Sequence, residues 1–369
     1  MHLKEIQLVN FKNYSEETFT FCPGINAIHG KNGIGKTNLL DAIHYLSLCK
    51  SYYSASDQQN IRHEMDFFAL HGLFQEEGID GVTQVSCIQR RNSRKVFKIN
   101  QKEYERLSDH IGRFPSVMIS PYDQDYIQGG SELRRKYFDS VISQYDHVYL
   151  DSLIQYNKIL LQRNALLKQA YDSGHLDSSA LEIWDDRLVL FGKTIYETRR
   201  DFIHVFMPVF LSFYRQLSEE DEVADIRYES QLETDSFDQL LREALQRDYH
   251  AAHTTCGVHK DDFLFMLNGF PVRRFGSQGQ QKTFLIALKL AQFDYLEKRK
   301  SASPLLLLDD VFDKLDYRRI RCLIQLVSQS HFGQVFLTDT QQDRLEGLCR
   351  ETGVDFQSIA LQEKKLSGK

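Results

Sequence analysis

The chain has 369 residues, 42% hydrophobic and 26% charged, with only 6 prolines, which excludes a disordered or fibrous polymer and allows one large unit with an insertion, or two domains. No apolar run approaches the ~20 residues that span a bilayer, and residues 1–10 mix acid and base among alternating apolar residues, so no signal peptide is expected. A net charge of −6 disfavours a dedicated nucleic-acid coat protein but leaves room for a local basic stripe.

Taken in chain order, residues 3–9 and 17–28 read as strands, the second ending in Ile25-Asn26-Ala27-Ile28. A glycine-containing loop opens at Gly30, and after Thr37 the residues Leu39, Leu40, Ile43 and Leu46 give a helical apolar face. Residues 67–73, 82–90 and 95–99 predict antiparallel strands, with turns at Glu77-Gly78 and Asn92-Ser93, and a buried strand follows at Ser116–Ser120. From about Gly130 the pattern is helical. Leu153, Ile154, Leu160, Leu161 and Leu167 predict one face, ending at Asp172-Ser173-Gly174. Ser179 and Glu182 form a capping-box pattern opening a second helix that Pro208 is expected to limit or kink. An acidic loop at Glu219–Glu222 and a helix over 236–249 come next. Strand character returns at Phe263, Phe265 and Leu267, with a hairpin turn at Asn268-Gly269. A helix over 278–297, the run Leu305–Leu308, a helix near 316–329 and a strand at Gln334–Leu337 complete the order. This predicts an α/β unit built from both ends of the chain, 1–129 with 251–369, around an inserted helical arm, 130–250.

Two segments carry chemistry. Gly30-Lys31-Asn32-Gly33-Ile34-Gly35-Lys36-Thr37 fits the phosphate-loop pattern GxxxxGK[ST] between a strand and a helix. Its glycines let backbone N–H groups converge on phosphate oxygens, Lys36 reaches the β and γ phosphates, and the Thr37 hydroxyl ligates magnesium. Asn38 follows in the first turn of the helix and joins the nucleotide set. The second segment, Leu305-Leu306-Leu307-Leu308-Asp309-Asp310, reads as a buried strand ending in two acids. Asp309 is expected to hold the metal and Asp310 to orient or activate the attacking water. Six widely scattered cysteines without a CxxC pair argue against a disulfide framework or zinc site and for a reducing cytoplasm.

A third segment, Gly276-Ser277-Gln278-Gly279-Gln280-Gln281-Lys282, precedes an amphipathic helix; by itself it reads as a loop with a helix cap. Placed ahead of the acidic strand, it resembles the signature segment of ABC-type ATPases, and Asp313-Lys314-Leu315-Asp316 resembles their D-loop. Across nearly the whole chain the sequence is similar to the RecF family, in the soluble, SMC-like DNA-repair branch of those ATPases. The similarity runs through Asn10-Phe11-Lys12-Asn13-Tyr14, the phosphate loop with Asp41-Ala42-Ile43, and Ser120-Pro121-Tyr122-Asp123 with Gly129-Gly130 and Arg134-Arg135. It continues through Gln162-Arg163-Asn164, Trp184-Asp185 and Gly257-Val258-His259-Lys260-Asp261-Asp262.

The resemblance implies an ABC-type head with an antiparallel β subdomain and a helical arm, ATP and Mg2+ as cofactors, and Lys12 and Asn13 near the nucleotide base. It implies an ATP-driven homodimer in which Ser277, Gly279 and Gln280 of one protomer meet the γ-phosphate held by the other's Lys36. It further implies DNA junctions as substrate and RecO and RecR as partners in loading RecA. Arg90, Arg91, Arg94, Lys95 and Lys98 on a hairpin, with Arg134, Arg135 and Lys136 at the arm's base, are the candidate phosphate contacts. The sequence departs from the wider ABC pattern in three places: Asp310 stands where glutamate is common, Tyr122 where an acid or glutamine is expected, and Thr338-Asp339-Thr340 lacks a switch histidine. The shorter side chain of Asp310 predicts slow hydrolysis, the water-positioning partner at Tyr122 is left open, and Thr338 is a candidate switch residue. The rival readings are a P-loop metabolic kinase, a soluble ABC subunit of a transporter, and a scaffold that binds ATP for stability.

Overall fold

The computed structural model describes residues 1–362 apart from 77, 79, 219–221, 301–302, 313–316, 329–331, 352 and 354. The D-loop-like segment 313–316 thus lies outside the described residues. The chain divides into two compact units, Met1–Asp123 with Lys282–Lys369, and Gln124–Gln281. Among the described residues no helix is long and apolar enough to cross a membrane.

The first unit contains two sheets. A five-stranded parallel sheet runs in the order Phe356–Ala360, Ile25–His29, Val335–Asp339, Leu305–Leu308, Ser116–Ile119. Four of these strands are near-continuous apolar runs, as expected of strands buried on both faces. The second sheet is antiparallel: Tyr14–Thr20, His2–Phe11, Phe67–Gln75, Thr83–Arg90, Val96–Ile99, Lys102–Glu103. The segment 17–28, expected as one strand, is two strands belonging to different sheets. Cys22-Pro23-Gly24 parts them, where proline cannot donate to a ladder and Asn26 side-chain bonds to Cys22 and Gly24 tie the turn.

Helix Lys36–Leu48 is buried at nearly every position, which is the pattern of a helix enclosed on all sides. Leu39, Leu40, Ile43, Tyr45 and Leu46 pack in one core with Leu3, Ile6, Phe11, Phe68 and Phe74 of the antiparallel sheet and with Leu305, Leu307 and Phe336 of the parallel one. The helix that carries the phosphate-loop lysine is thereby fixed by both sheets.

The second unit has helices Ser131–Ser143, His147–Ser173, Ser178–Leu217 and Phe237–Ala251, and a three-stranded antiparallel sheet Phe270–Pro271, Asp262–Leu267, Ala224–Glu229. Its limits differ from the expected 130–250. The Asp262–Leu267 strand pairs along its whole length with Ala224–Glu229 and so takes residues 251–281 into this unit. The Asn268-Gly269 turn has both residues at positive φ, 51° and 80°, the geometry of a type I′ hairpin.

Three local expectations are corrected. The helix Ser178–Leu217 is capped by Asp177, whose carboxylate accepts from the N–H groups of Ser179 and Ala180, rather than by a Ser179–Glu182 box. Pro208 does not end that helix, which continues beyond it with Phe202, Phe206, Phe210, Phe213 and Leu217 buried in one register on both sides. The buried face of His147–Ser173 is Tyr149, Ser152, Tyr156, Ile159, Arg163, Leu167 and Ala170, while Leu161 faces solvent. Leucine identity misplaced that face, because it is organised around buried ion pairs. Arg163 donates to Asp185 at 2.5 Å and to Asp248 at 2.7 Å, and Arg199 to Asp139 at 2.9 Å and Asp261 at 3.0 Å.

Candidate nucleotide site

The loop that starts at Gly30 leaves the C-terminal edge of the Ile25–His29 strand, and Val335–Asp339 lies between that strand and Leu305–Leu308. Ligands of open parallel sheets bind at that edge. The helix behind the loop begins at Lys36 with Gly35 as N-cap, φ 122°, and no side-chain cap. Its first N–H groups are therefore presented by backbone alone, as an anion site needs. A Cβ on Gly35 would come within 2.7 Å of Asn13 Nδ2 and 2.8 Å of the Tyr14 hydroxyl, so only glycine fits. Asn13 and Tyr14 brace the loop from outside: Asn13 Nδ2 donates to Ile34 O at 2.9 Å and Tyr14 to Gly35 O at 3.0 Å. Asn38 Nδ2 donates to Asn13 Oδ1 at 2.7 Å, which places these two asparagines of the expected nucleotide set together at the loop. Lys12 lies with its ammonium 5.4 Å from the centroid of the Tyr53 ring. Its ammonium pairs with buried Asp41 at 2.5 Å, and Asp41 also accepts from Ser51 and from the Tyr52 N–H.

Lys36 is buried, and its Nζ donates to Gly30 O at 2.8 Å and Lys31 O at 3.1 Å, curled along the loop it belongs to. Thr37 and Asp309, far apart in sequence, meet: Thr37 Oγ1 donates to Asp309 Oδ1 at 3.0 Å. Asp309 Oδ1 also accepts from Thr338 Oγ1 at 2.9 Å, and Oδ2 accepts from the Tyr53 hydroxyl at 2.7 Å. Thr338 is wholly buried, and its oxygen accepts the Asp310 N–H at 2.9 Å. One threonine thus fixes both acids. Asp310 sits in the left-handed region, φ 44°, a conformation costly for a non-glycine residue and frequent at functional sites.

Tyr53 carried no sequence signal, since it lies in an irregular polar loop without periodicity. Its ring packs edge-on against Tyr52 and Tyr122, centroids 5.3 and 5.2 Å away. Burial and the adjacent Asp309 carboxylate push its phenol far above the ordinary range, so it stays a donor. Tyr122 is exposed, whereas the neighbouring Asp123 is buried, accepts the Ser120 N–H at 2.8 Å and pairs with Lys289 at 3.1 Å.

The segment at 276–282 forms a reciprocal cap at the start of helix Gln278–Arg299. Ser277 Oγ accepts the Gln280 N–H at 3.2 Å, and Gln280 Oε1 accepts the Ser277 N–H at 2.7 Å. Ser277 is exposed and Gly279 partly so, whereas the Gln280 amide also donates to Glu222 at 2.6 Å.

Of the expected DNA contacts, two turn inward. Lys95 donates to Asp57 at 2.8 Å, Tyr45 and Cys49 O, and Arg134 forms a two-pronged pair with Asp262 at 2.8 Å. Their charges complete partly buried ion pairs, which composition alone does not separate from surface cations. Arg90, Arg91 and Arg94 are exposed, with Arg91 and Arg94 donating to the backbone oxygens of Met65 and Glu105. Arg135 is half-buried against Asp261 O, and Lys136 is exposed beside Glu132. His259 is a structural residue here: Nδ1 faces the Tyr156 hydroxyl at 2.8 Å, Nε2 faces Thr254 O at 3.1 Å, and burial lowers its pKa to about 4.

The parallel sheet with a phosphate loop and acid-ended strand, joined to an antiparallel sheet through the loop's own helix, defines an ABC-type P-loop ATPase head. The Smc head domain of Pyrococcus furiosus shares that fold, with a TM-score of 0.56 at 16% identity over 98% of this chain and 94% of that one. A sequence profile of the RecF/RecN/SMC N-terminal domain matches residues 2–362, and the chain belongs to that family. Within it, the chain is 45% identical to the DNA replication and repair protein RecF of Bacteroides fragilis YCH46, over 98% of this chain and 97% of that protein. It is 44% identical to the protein of the same description from Phocaeicola vulgatus, over 100% and 98%. The solved structure of the recombination mediator protein RecF-ATP in the RecFOR pathway is also similar, with a TM-score of 0.85, 31% identity and 92% of each chain covered.

Proposed function

We propose that this chain is an ATP-binding recombination and repair mediator whose nucleotide sites are completed by dimerisation. The observation that carries the reading is the convergence of Lys36, Thr37 and Asp309 at one sheet edge, with Thr37 and Asp309 3.0 Å apart. A hydroxyl and a carboxylate are hard oxygen donors suited to Mg2+, and they would hold it there. The ion supplies charge compensation at the phosphates. Lys36 releases the loop carbonyls to bind the β and γ phosphates, while the uncapped helix N-terminus binds phosphate oxygens through N–H groups. Asp310, fixed by Thr338, orients the attacking water. Its short side chain is consistent with slow turnover, suited to a timed switch.

Ser277 and Gly279 of a second protomer would close the far side of the nucleotide. The Ser277 hydroxyl keeps its proton free to donate, because its oxygen is the acceptor in the cap. A two-fold pair with two shared ATP molecules follows, and nucleotide binding drives association. DNA would be held through its phosphates by Arg90, Arg91 and Arg94, with Arg135 and Lys136 on the second unit, in a cytoplasmic complex that works with RecO and RecR to load RecA. A metabolic kinase or transporter subunit is less favoured, because neither accounts for similarity over the full length to RecF proteins. Solution mass with and without a non-hydrolysable ATP analogue tests the reading, since an ATP-completed site requires a dimer that appears only with nucleotide.

A further inference from the structure

Asp309 is the acid proposed above to hold the metal at this loop, and its hydrogen bonding is nearly complete within the chain. Oδ1 accepts two hydroxyls, Thr37 at 3.0 Å and Thr338 at 2.9 Å, which fills the two lone pairs of that oxygen. Anything further must be accommodated at Oδ2, where the Tyr53 hydroxyl already donates at 2.7 Å. Thr37 and Thr338 lie on the loop helix and on the parallel sheet, both rigid. Tyr53 lies in irregular backbone, its ring in contact with Tyr52 and with the mostly exposed Tyr122, packed against the core and with the Lys12 ammonium 5.4 Å from its centroid. Of the three donors on Asp309, Tyr53 is the one carried by neither a helix nor a strand.

We infer that Tyr53 is a positioning residue that governs metal loading: its hydroxyl takes one of the two lone pairs of Asp309 Oδ2, the oxygen left to the metal shell, so the metal–nucleotide complex binds most tightly when Tyr53 releases it. This inference rests on the reading of the site as an ATP–Mg2+ site. The Tyr53 bond keeps the carboxylate compensated, and the same bond sets a threshold of metal concentration for nucleotide capture. Release also frees the ring from Tyr122, which occupies the place where ABC-type proteins carry an acid or glutamine. A ring contact there thus couples loading to the surface of the loop.

The test is Tyr53→Phe, which keeps the ring and removes the hydroxyl, in the full-length protein. Binding of a fluorescent non-hydrolysable ATP analogue is titrated with Mg2+ and repeated in EDTA. The Mg2+ midpoint is expected to fall about tenfold, the scale of one hydrogen bond to a charged group, while affinity in EDTA stays unchanged. A purely structural role would alter both affinities together. In the Asp309→Asn background the Tyr53→Phe effect on the midpoint is expected to vanish, because the contested carboxylate is gone. An unchanged or raised midpoint in a Tyr53→Phe protein that melts like its parent overturns the inference and leaves the ATP site standing. If the parent binds no nucleotide with or without Mg2+, the ATP-site reading itself fails, and the role of Tyr53 with it.

Discussion

Thr338→Val is the sharpest probe of how the two acids are held. Valine matches threonine in shape, so packing at this wholly buried position is kept while the hydroxyl is lost. That hydroxyl makes two bonds, donating to Asp309 Oδ1 at 2.9 Å and accepting the Asp310 N–H at 2.9 Å. A hydrogen bond to a charged acceptor contributes about 1.5–3 kcal/mol, and a buried N–H left without a partner costs about 1–3 kcal/mol. Relaxation offsets part of the sum, so the variant should lose about 3 kcal/mol of stability. Denaturant unfolding followed by circular dichroism measures this, with Thr338→Ser as the control that restores the hydroxyl. Hydrolysis should fall with Thr338→Val and recover with serine, because the left-handed backbone of Asp310 is pinned by this contact. A valine variant within about 1 kcal/mol of the parent would refute the reasoning, since the cost of orphaning these groups could not then be real.

In the second unit, Arg199→Lys should cost about 3–5 kcal/mol, because a single ammonium cannot replace the fork that serves Asp139, Asp261 and Val258 O and leaves a buried carboxylate uncompensated; urea unfolding checks it, and a loss below about 1 kcal/mol would contradict it. Acid should destabilise the protein through its buried neutral histidines. The folded pKa values of His110 and His259 are lowered to about 4, His44 to about 3, and burial is the first cause in each. Between an unfolded value of about 6.5 and those folded values the unfolded chain binds more protons, so stability is full above pH ~6.5 and falls as pH drops, by about 1.4 kcal/mol per pH unit for each histidine. Unfolding measured from pH 7.5 to 5 should show the decline, and His259→Gln should reduce its slope.

Much of this architecture was legible because its physical signals are local. The phosphate loop declares itself through the spacing of its glycines and a lysine at the helix start, and the apolar run before Asp309 reads as a buried strand. The Thr37–Asp309 meeting followed from pairing those two segments. What escaped the sequence was decided by tertiary pairing. Residues 251–281 join the second unit because Asp262–Leu267 ladders with Ala224–Glu229, a non-local choice with no local mark. Lys95 and Arg134 read as surface cations until Asp57 and Asp262 are seen opposite them. Tyr53, which touches Asp309, belongs to no periodic pattern and reaches the site only by where its loop carries it.

The central claim is that ATP completes a site shared by two copies of the chain. Light scattering after size exclusion measures it most directly, with no nucleotide, with ADP, and with a non-hydrolysable ATP analogue plus Mg2+. Lys36→Ala and Ser277→Arg are run alongside, one removing the lysine proposed to grip phosphate and the other blocking the exposed cap proposed to face a partner's nucleotide. The account predicts a dimer for the parent with the ATP analogue alone and monomers for both variants under all conditions. A mass that ignores nucleotide, or a Ser277→Arg protein that still dimerises with ATP, would contradict it.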